Sequence, residues 1–471
     1  MTAKEPEACF GIPAIIRECK CRGDSLPMKR CGYYSGKQFK GFRILILLVF
    51  FLLMIPSVSA DAGQECEGSA RFRDAWGPWL TNTSSSSSTI HWKTAELLPG
   101  TIEYIAREDL LQGNDNFLHV SEIGPSELHS VSLSGLLPGT EYQYRIQGRP
   151  GNYSFSTYPE SGTVRFVVYG DTRNQEGWKN QDLLQTSVAR GIASEEDILF
   201  VVHTGDIVYD PTNRSEWEGF FEKSEIYLPD VTLCPVPGNH EADSAEYAEF
   251  FGVPDDYSFQ CGDITVICIN SNPMNKTREY EQKSWLADTL HESENLVFVA
   301  MHHPLYSSDE KHPGGYIDMR ARYEPLFLQS ETGAVFSAHV HAYEHFESGG
   351  IQYFTVATGG APFYPLLDEK PAGHIFSLEN TAGYAVVTVN ETAATLEFIR
   401  VAEERGGVVR FFPPGDVAER VVIKMRTGRW PGIFPGLPDF SNGPVHVFNA
   451  HITIITCLIA TSDLKPAFYV S

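Results

Sequence analysis

ILFVVHTGD, residues 198–206, is an apolar run that stops at a Gly-Asp pair. Four other stretches have the same form: VRFVVYGD at 164–171, VTLCPVPGN at 231–239, LVFVAMH at 296–302 and AVFSAHVH at 334–341. Continuous apolar runs of this length predict strands buried on both faces. The polar residue that ends each run then sits at the carboxyl edge of a sheet, where open α/β sheets place their sites.

Between the runs lie segments of helical pattern, at Gln181–Gly191, Ser215–Ile226, Glu279–His291 and Met319–Gln329. Strands alternating with helices predict an α/β domain over residues 161–405. The donors collected at its edge are Asp171, Asp206, Asn239, His302, His339 and His341, with Tyr209 three residues beyond Asp206. Hard oxygens and imidazoles without a thiolate suit zinc, iron or manganese rather than copper(I) or an iron–sulfur cluster. On a strand, His339 and His341 would share a face.

Outward from this domain the pattern changes. TIHW (89–92), TIEYIA (101–106) and the stretch 128–148 alternate as β-strands do, and predict a small β-sandwich over 61–160. Leu137 to Tyr144, Leu-x-Pro-Gly-Thr-x-Tyr-x-Tyr in outline, resembles a late strand of a fibronectin type III-like module. Residues 1–60 hold an apolar core, Ile44 to Ile55, after Lys37, Lys40 and Arg43 and before the small residues Val58, Ser59 and Ala60. They read as an N-terminal extension and signal peptide with cleavage after Ala60, and an uncleaved anchor is the alternative. Met28-Lys29-Arg30 would make an ordinary start for such a signal. Past Gly406 a strand pair (GVVRFF, then ERVVIKM) precedes a C-terminal extension rich in glycine and proline.

The 471 residues carry a formal charge of −24. So acidic a surface repels nucleic acid and anionic lipid at long range, so an anionic ligand would have to be drawn by local charge. Of nine cysteines, Cys66, Cys234, Cys261, Cys268 and Cys457 follow the predicted cleavage point. Cys261 and Cys268 read equally as a bridge or as two buried apolar residues. Glycosylation sequons stand at Asn82, Asn152, Asn213, Asn275 and Asn390.

In order along the chain come GDTR (170–173), GDIVY (205–209), GNHE (238–241), VAMH (299–302) and AHVHAYE (338–344). Five such motifs in this order resemble the calcineurin-like metallophosphoesterase superfamily, and within it the purple acid phosphatases. Two departures stand out. Most of the superfamily opens with Asp-x-His, where this chain has Asp171-Thr172-Arg173, and the usual Gly-His-x-His is Ala338-His339-Val340-His341.

The resemblance implies a four-layer sandwich of mixed β-sheets flanked by helices. It implies Asp171, Asp206, Tyr209 and His341 on one metal and Asp206, Asn239, His302 and His339 on the other, with Asp206 bridging. A tyrosine ligand favours iron(III); the second site accepts iron(II), zinc or manganese. The family's reaction uses a metal-bound hydroxide, with His240 and His312 as the substrate-side catalytic residues. Arg173 would meet the phosphate, while Glu241, His303 and Glu344 would support ligands or loops. Segments 271–282, 307–318 and 360–374 would line the cleft. The implied function is a secreted phosphomonoesterase acting on small phosphate esters. The alternatives are a phosphodiesterase or nucleotide hydrolase on the same scaffold, or a non-catalytic cell-surface binding protein.

Overall fold

The computed structural model describes residues 75–423. The predicted signal segment, Cys66, Cys457 and the C-terminal extension from 424 lie outside the described residues. All five apolar runs form strands: β6 (Val164–Tyr169), β7 (Phe200–His203), β8 (Thr232–Pro235), β11 (Leu296–Met301) and β12 (Thr332–Ser337). Every residue of β7, β8, β11 and β12 is buried, as a strand covered on both faces requires.

These strands belong to two sheets. The first runs β18–β17–β16–β6–β7–β8–β1–β2–β4–β5, with β3 beside β2. Its outer members are β16 (Thr381–Val389), β17 (Ala394–Arg405) and β18 (Val408–Ile423) on one side. On the other are β1 (Trp79–Thr81), β2 (Ser87–Ala106), β3 (Leu118–Ser134), β4 (Glu141–Ile146) and β5 (Tyr153–Ser156). The second sheet runs β15–β13–β14–β12–β11–β10–β9. It adds β9 (Tyr257–Cys261), β10 (Ile264–Ile269), β13 (Tyr343–Ser348), β14 (Ile351–Val356) and β15 (His374–Leu378). Parallel and antiparallel pairs occur in both sheets.

The sheets pack face to face through Phe166, Phe200, Phe298, Phe336 and Phe354. Phe166 stacks on Phe200 at 4.8 Å and meets Phe298 edge-on at 5.4 Å. Burying each such side chain stabilises the fold by about 1.5–3 kcal/mol. Six helices are described: α1 (Arg107–Leu111), α2 (Gln181–Ala193), α3 (Arg214–Ser224), α4 (Ala245–Phe251), α5 (Lys276–Glu292) and α6 (Ile317–Phe327). Leu184 of α2, Trp217 of α3 and Phe250 of α4 cover the outer face of the first sheet against Val167, Tyr169 and Val201. Leu286 of α5 and Tyr323 of α6 cover the second against Ile267 and Val299. Helix, sheet, sheet, helix is the expected layering.

The N-terminal strands keep a core of their own around Trp92, Ile102, Tyr144 and Phe155. They are tied to the α/β part by the single register pair Leu80–Thr232 and by bonds from Trp79 Nε1 to the Phe250 carbonyl and from Tyr144 Oη to the Pro229 carbonyl. Cys234, Cys261 and Cys268 are buried thiols without a disulfide.

Two expectations change. Val408–Phe412 and Glu419–Ile423 of these segments do not pair with each other; they lie in one sixteen-residue strand, β18, antiparallel to β17, and Lys424 and Met425 lie outside the described residues. Pro413 and Pro414 fall inside it, which an edge strand tolerates because one side of its backbone is unpaired. The His339–Val340–His341 stretch is not a strand: it follows β12, and both histidines are left-handed, with φ of 74° and 43°.

Candidate metal centre

Register brings the predicted residues together. In the first sheet Tyr169 pairs with His203 and His203 with Pro235, so the loops holding Asp171, Asp206 and Asn239 leave one edge side by side. In the second, Ala300 pairs with Phe336 and Ser337 with Thr355, which sets His302, the His339–His341 turn and the loop after β14 along the facing edge. Backbone bonds lock the loops. Asp171 N donates to the Gly205 carbonyl at 3.0 Å, Ala338 N to that of His302 at 2.9 Å, and Gly359 N to that of Gly170 at 2.8 Å.

Asp171, Asp206, His339 and His341 all have positive φ, between 43° and 74°. Side chains rarely adopt this backbone, and it persists where the surroundings over-determine it, as at functional sites. Close glycine packing is part of that constraint. A Cβ on Gly238 would lie 2.2 Å from Asp206 N and Asp206 Oδ1. We therefore expect Gly238→Ala to cost about 1–3 kcal/mol of stability and to weaken metal uptake, which denaturant unfolding and a metal titration of the same variant would read.

The donor chemistry tests whether cations fit. His302 Nδ1 faces the Thr204 carbonyl at 2.9 Å, and a carbonyl only accepts, so this nitrogen carries the proton. Its Nε2 is then a bare lone pair. That lone pair faces Asn239 Oδ1 at 3.0 Å, His339 Nδ1 at 3.1 Å and Asp206 Oδ1 at 3.3 Å. The second half repeats the logic: His341 Nδ1 is held by the Pro362 carbonyl, and its Nε2 lies 3.0 Å from Asp171 Oδ1, a buried oxygen without a hydrogen-bond partner. Acceptors aimed at acceptors need a cation between them. Asp171, Asp206 and His341 form one potential metal group, and His302, His303 and His339 another.

Electrostatics prepares the ligands. Burial alone would raise the Asp171 carboxyl, but in the metal-free chain His341 and His302, whenever they carry a proton in the cation's place, and the Arg173 guanidinium outweigh it and hold it below the usual range. Burial, with His302 and His303 nearby, holds His339 well below the usual imidazole value, keeping it neutral as ligation requires.

The remaining predicted residues fall as follows. Glu241 accepts from the backbone N–H groups of Asp206, Val208 and Gly238, so it pins two loops, and burial together with the Asp206 carboxylate pushes it up to about 8. Glu344 accepts from Ser307 Oγ and Ser308 N, pinning the 307–308 turn. His303 is buried against Ser271, with Nδ1 2.8 Å from the hydroxyl. His240 donates from Nδ1 to the Tyr209 carbonyl at 2.6 Å, and its Nε2 lies 3.8 Å from Asp206 Oδ2. His312 donates from Nδ1 to Asp309 at 2.9 Å, and its ring lies 5.2 Å from that of His339.

Tyr209 is 45% exposed, its ring packed on His240 at 4.7 Å, and among the described residues its hydroxyl makes no hydrogen bond. Arg173 reaches the centre instead. Buried, it places Nε 3.2 Å from Asp206 Oδ2 and Nη2 3.4 Å from His341 Nε2.

Two tyrosines join the centre that the motifs did not flag. The Tyr364 ring stacks on His341 at 4.1 Å, and its hydroxyl accepts from Arg173 Nη2 at 3.0 Å. Tyr316 places its hydroxyl 2.8 Å from His339 Nε2 and stacks on His312. With Nδ1 of His339 aimed at the second cation position, Nε2 donates to Tyr316, the outer hydrogen bond that fixes a ligand imidazole. Tyr316→Phe is expected to weaken metal binding about 10–100-fold with the fold intact; calorimetric metal titration beside circular dichroism checks this.

Comparison with known proteins follows the same lines. Residues 164–343 match the calcineurin-like phosphoesterase family. Purple acid phosphatase 18 of Arabidopsis thaliana is 27% identical over 292 residues, which cover 56% of this chain and 62% of the relative. Purple acid phosphatase 5 of the same plant is 31% identical over 243 residues, covering 48% and 57%. The chain thus spans less than two thirds of the length of either relative. Among solved structures, a purple acid phosphatase, PPD1, from yellow lupin (Lupinus luteus) seeds has a TM-score of 0.57 at 18% identity, covering 72% of this chain and 73% of that one. PhoD has a TM-score of 0.55 at 13% identity, covering 74% and 92%. Both share the fold.

Proposed function

We propose that the protein, whose residues 164–343 match the calcineurin-like phosphoesterase family, is a metal-dependent phosphomonoesterase of purple acid phosphatase type. The observation that carries the reading is the convergence of His302 Nε2, Asn239 Oδ1, His339 Nδ1 and Asp206 Oδ1, four acceptors with no proton to share. Asp206, Asn239, His302 and His339 would hold one cation, and Asp171, Asp206 and His341 would hold the other, with Tyr209 as the candidate fourth donor. If Tyr209 ligates, that cation is iron(III), and its partner is iron(II), zinc or manganese. Two bound cations would supply Lewis acidity for the phosphoryl oxygens and acidify water at neutral or mildly acid pH.

The chain's own groups do the rest. Arg173 presents a buried guanidinium beside Asp206, placed to hold phosphoryl oxygens by charge-assisted hydrogen bonds. The proton of His240 Nδ1 is committed to the Tyr209 carbonyl, so Nε2 is free to carry a proton to a leaving alkoxide. His312 is oriented the same way by Asp309. Asn82, Asn152, Asn213, Asn275 and Asn390 are all exposed, which supports an extracytoplasmic location reached through the predicted signal segment.

The test is hydrolysis of 4-nitrophenyl phosphate beside bis(4-nitrophenyl) phosphate by the metal-loaded chain from acid to neutral pH. Monoester preference is the expected result. Diester preference would move the function to a phosphodiesterase, and binding of two metals with no turnover of either would favour a non-catalytic role.

A further inference from the structure

Resting on the phosphomonoesterase reading, we propose that Lys311, set on the face of Tyr364 opposite His341, takes the second anionic group of a substrate whose scissile phosphate, met by Arg173, has a phosphate or carboxylate close by. The Tyr364 ring has two faces and an edge, and all three are used. His341 stacks on one face at 4.1 Å and an interplanar angle of 12°, and the hydroxyl edge meets Arg173 at 3.0 Å. Lys311 Nζ lies 4.1 Å from the same ring centre, so it takes the opposite face. Tyr364 is therefore a partition with a candidate metal ligand behind it and an ammonium group in front.

The backbone builds this arrangement. Leu367 N donates to the Ser308 carbonyl at 2.7 Å, and Asp309 bridges to Leu366, so the loop carrying Lys311 is zipped to the loop carrying Tyr364. Lys311 N and His312 N both donate to Asp309 Oδ2 at 3.0 Å, while Glu344 pins Ser307 and Ser308 behind them. The ammonium group is held over the ring, and among the described residues it makes no hydrogen bond. Among the described residues Lys311 Nζ has no carboxylate partner, although Asp and Glu outnumber Lys and Arg by 60 to 36 in the sequence. A cation left unpaired at the mouth of a site, in so acidic a chain, is placed to meet an anion from solution. Arg173 serves the group nearer the metals and Lys311 the group farther out.

Calorimetric binding of inorganic phosphate and of methylenediphosphonate to the metal-loaded chain tests the inference apart from turnover. For the native protein the diphosphonate should bind more tightly than phosphate, with the advantage lost in 1 M salt. Lys311→Met should remove about fivefold of diphosphonate affinity, and Lys311→Glu more, with phosphate affinity and 4-nitrophenyl phosphate turnover unchanged. The ratio of kcat/KM for pyrophosphate, and for a phosphate ester bearing a carboxylate, over that for glycerol 2-phosphate should fall in parallel. A larger fall for one of the first two identifies the second group. Equal losses for phosphate and diphosphonate, or none, would overturn the subsite and leave the phosphatase reading standing. Failure to bind phosphate at all with two metals present would remove that reading and this inference with it.

Discussion

Asn239→Ala is expected to abolish phosphate ester hydrolysis while leaving the metal-free fold unchanged. Asn239 Oδ1 lies 3.0 Å from His302 Nε2 and 2.8 Å from His339 Nδ1, so its loss would open one position of the proposed second cation site. Little packing goes with it, because the residue is exposed and its loop is held from behind by Glu241 on Gly238 N and by Asn272 on the Gly238 carbonyl. Losing an outer partner of a metal ligand costs about 10–100-fold in affinity or activity, and losing the ligand itself should exceed that. Initial rates measured beside circular dichroism separate the two effects. An active variant would take Asn239 out of the ligand set.

The second large effect is acid instability of the metal-free chain. Burial holds His91 and His203 down to about 3 and, with His302 and His312 adding to it, His303 down to about 2, against 6.5 in an open chain. Each is neutral when folded and charged when unfolded, so the stability it contributes is complete above about pH 6.5 and is lost as pH falls toward those values. Glu241 runs the other way. Raised from 4.5 to about 8, it adds stability as pH falls from 8 to 4.5 and offsets one histidine over part of that range.

Below pH 4.5 that offset has ended, and with His339, also held well below the usual imidazole value, unfolding takes up about four protons. The expected slope is roughly 5 kcal/mol per pH unit, steep against a total stability of about 5–15 kcal/mol. Urea unfolding at pH 7, 5 and 4 reads it directly. A midpoint unchanged between pH 5 and 4 would mean that these histidines are protonated in the fold.

Much of this architecture is legible in the residues. A continuous run such as ILFVVHTGD can be buried only in a sheet covered on both faces, and its Gly-Asp end marks the edge where the chain turns. That logic finds β6, β7, β8, β11 and β12 and gathers Asp171, Asp206, Asn239 and His302. It does not extend to His339 and His341. Their separation comes from left-handed backbone rather than strand alternation, and the packing of Ala338 and neighbouring loops imposes that backbone.

Tyr316 and Tyr364 lie inside the segments 307–318 and 360–374 that the sequence assigns to the cleft. Nothing in their spacing marks them, because their contacts arise from two loops zipped across sheet strands distant in sequence. Arg173 is visible as a departure from Asp-x-His, yet its reach to His341 depends on a turn 168 residues away. Pro413 and Pro414 disguise β18 because the sequence does not reveal that this strand lies at an edge.

The proposed activity depends on two cations at this edge. Stripping the chain with a chelator, titrating zinc or manganese back, and following 4-nitrophenyl phosphate hydrolysis alongside metal content tests it. The account predicts no hydrolysis when stripped, two metal equivalents at saturation and activity that returns with them. Full activity in the stripped chain, or saturation without any bound metal, would contradict it.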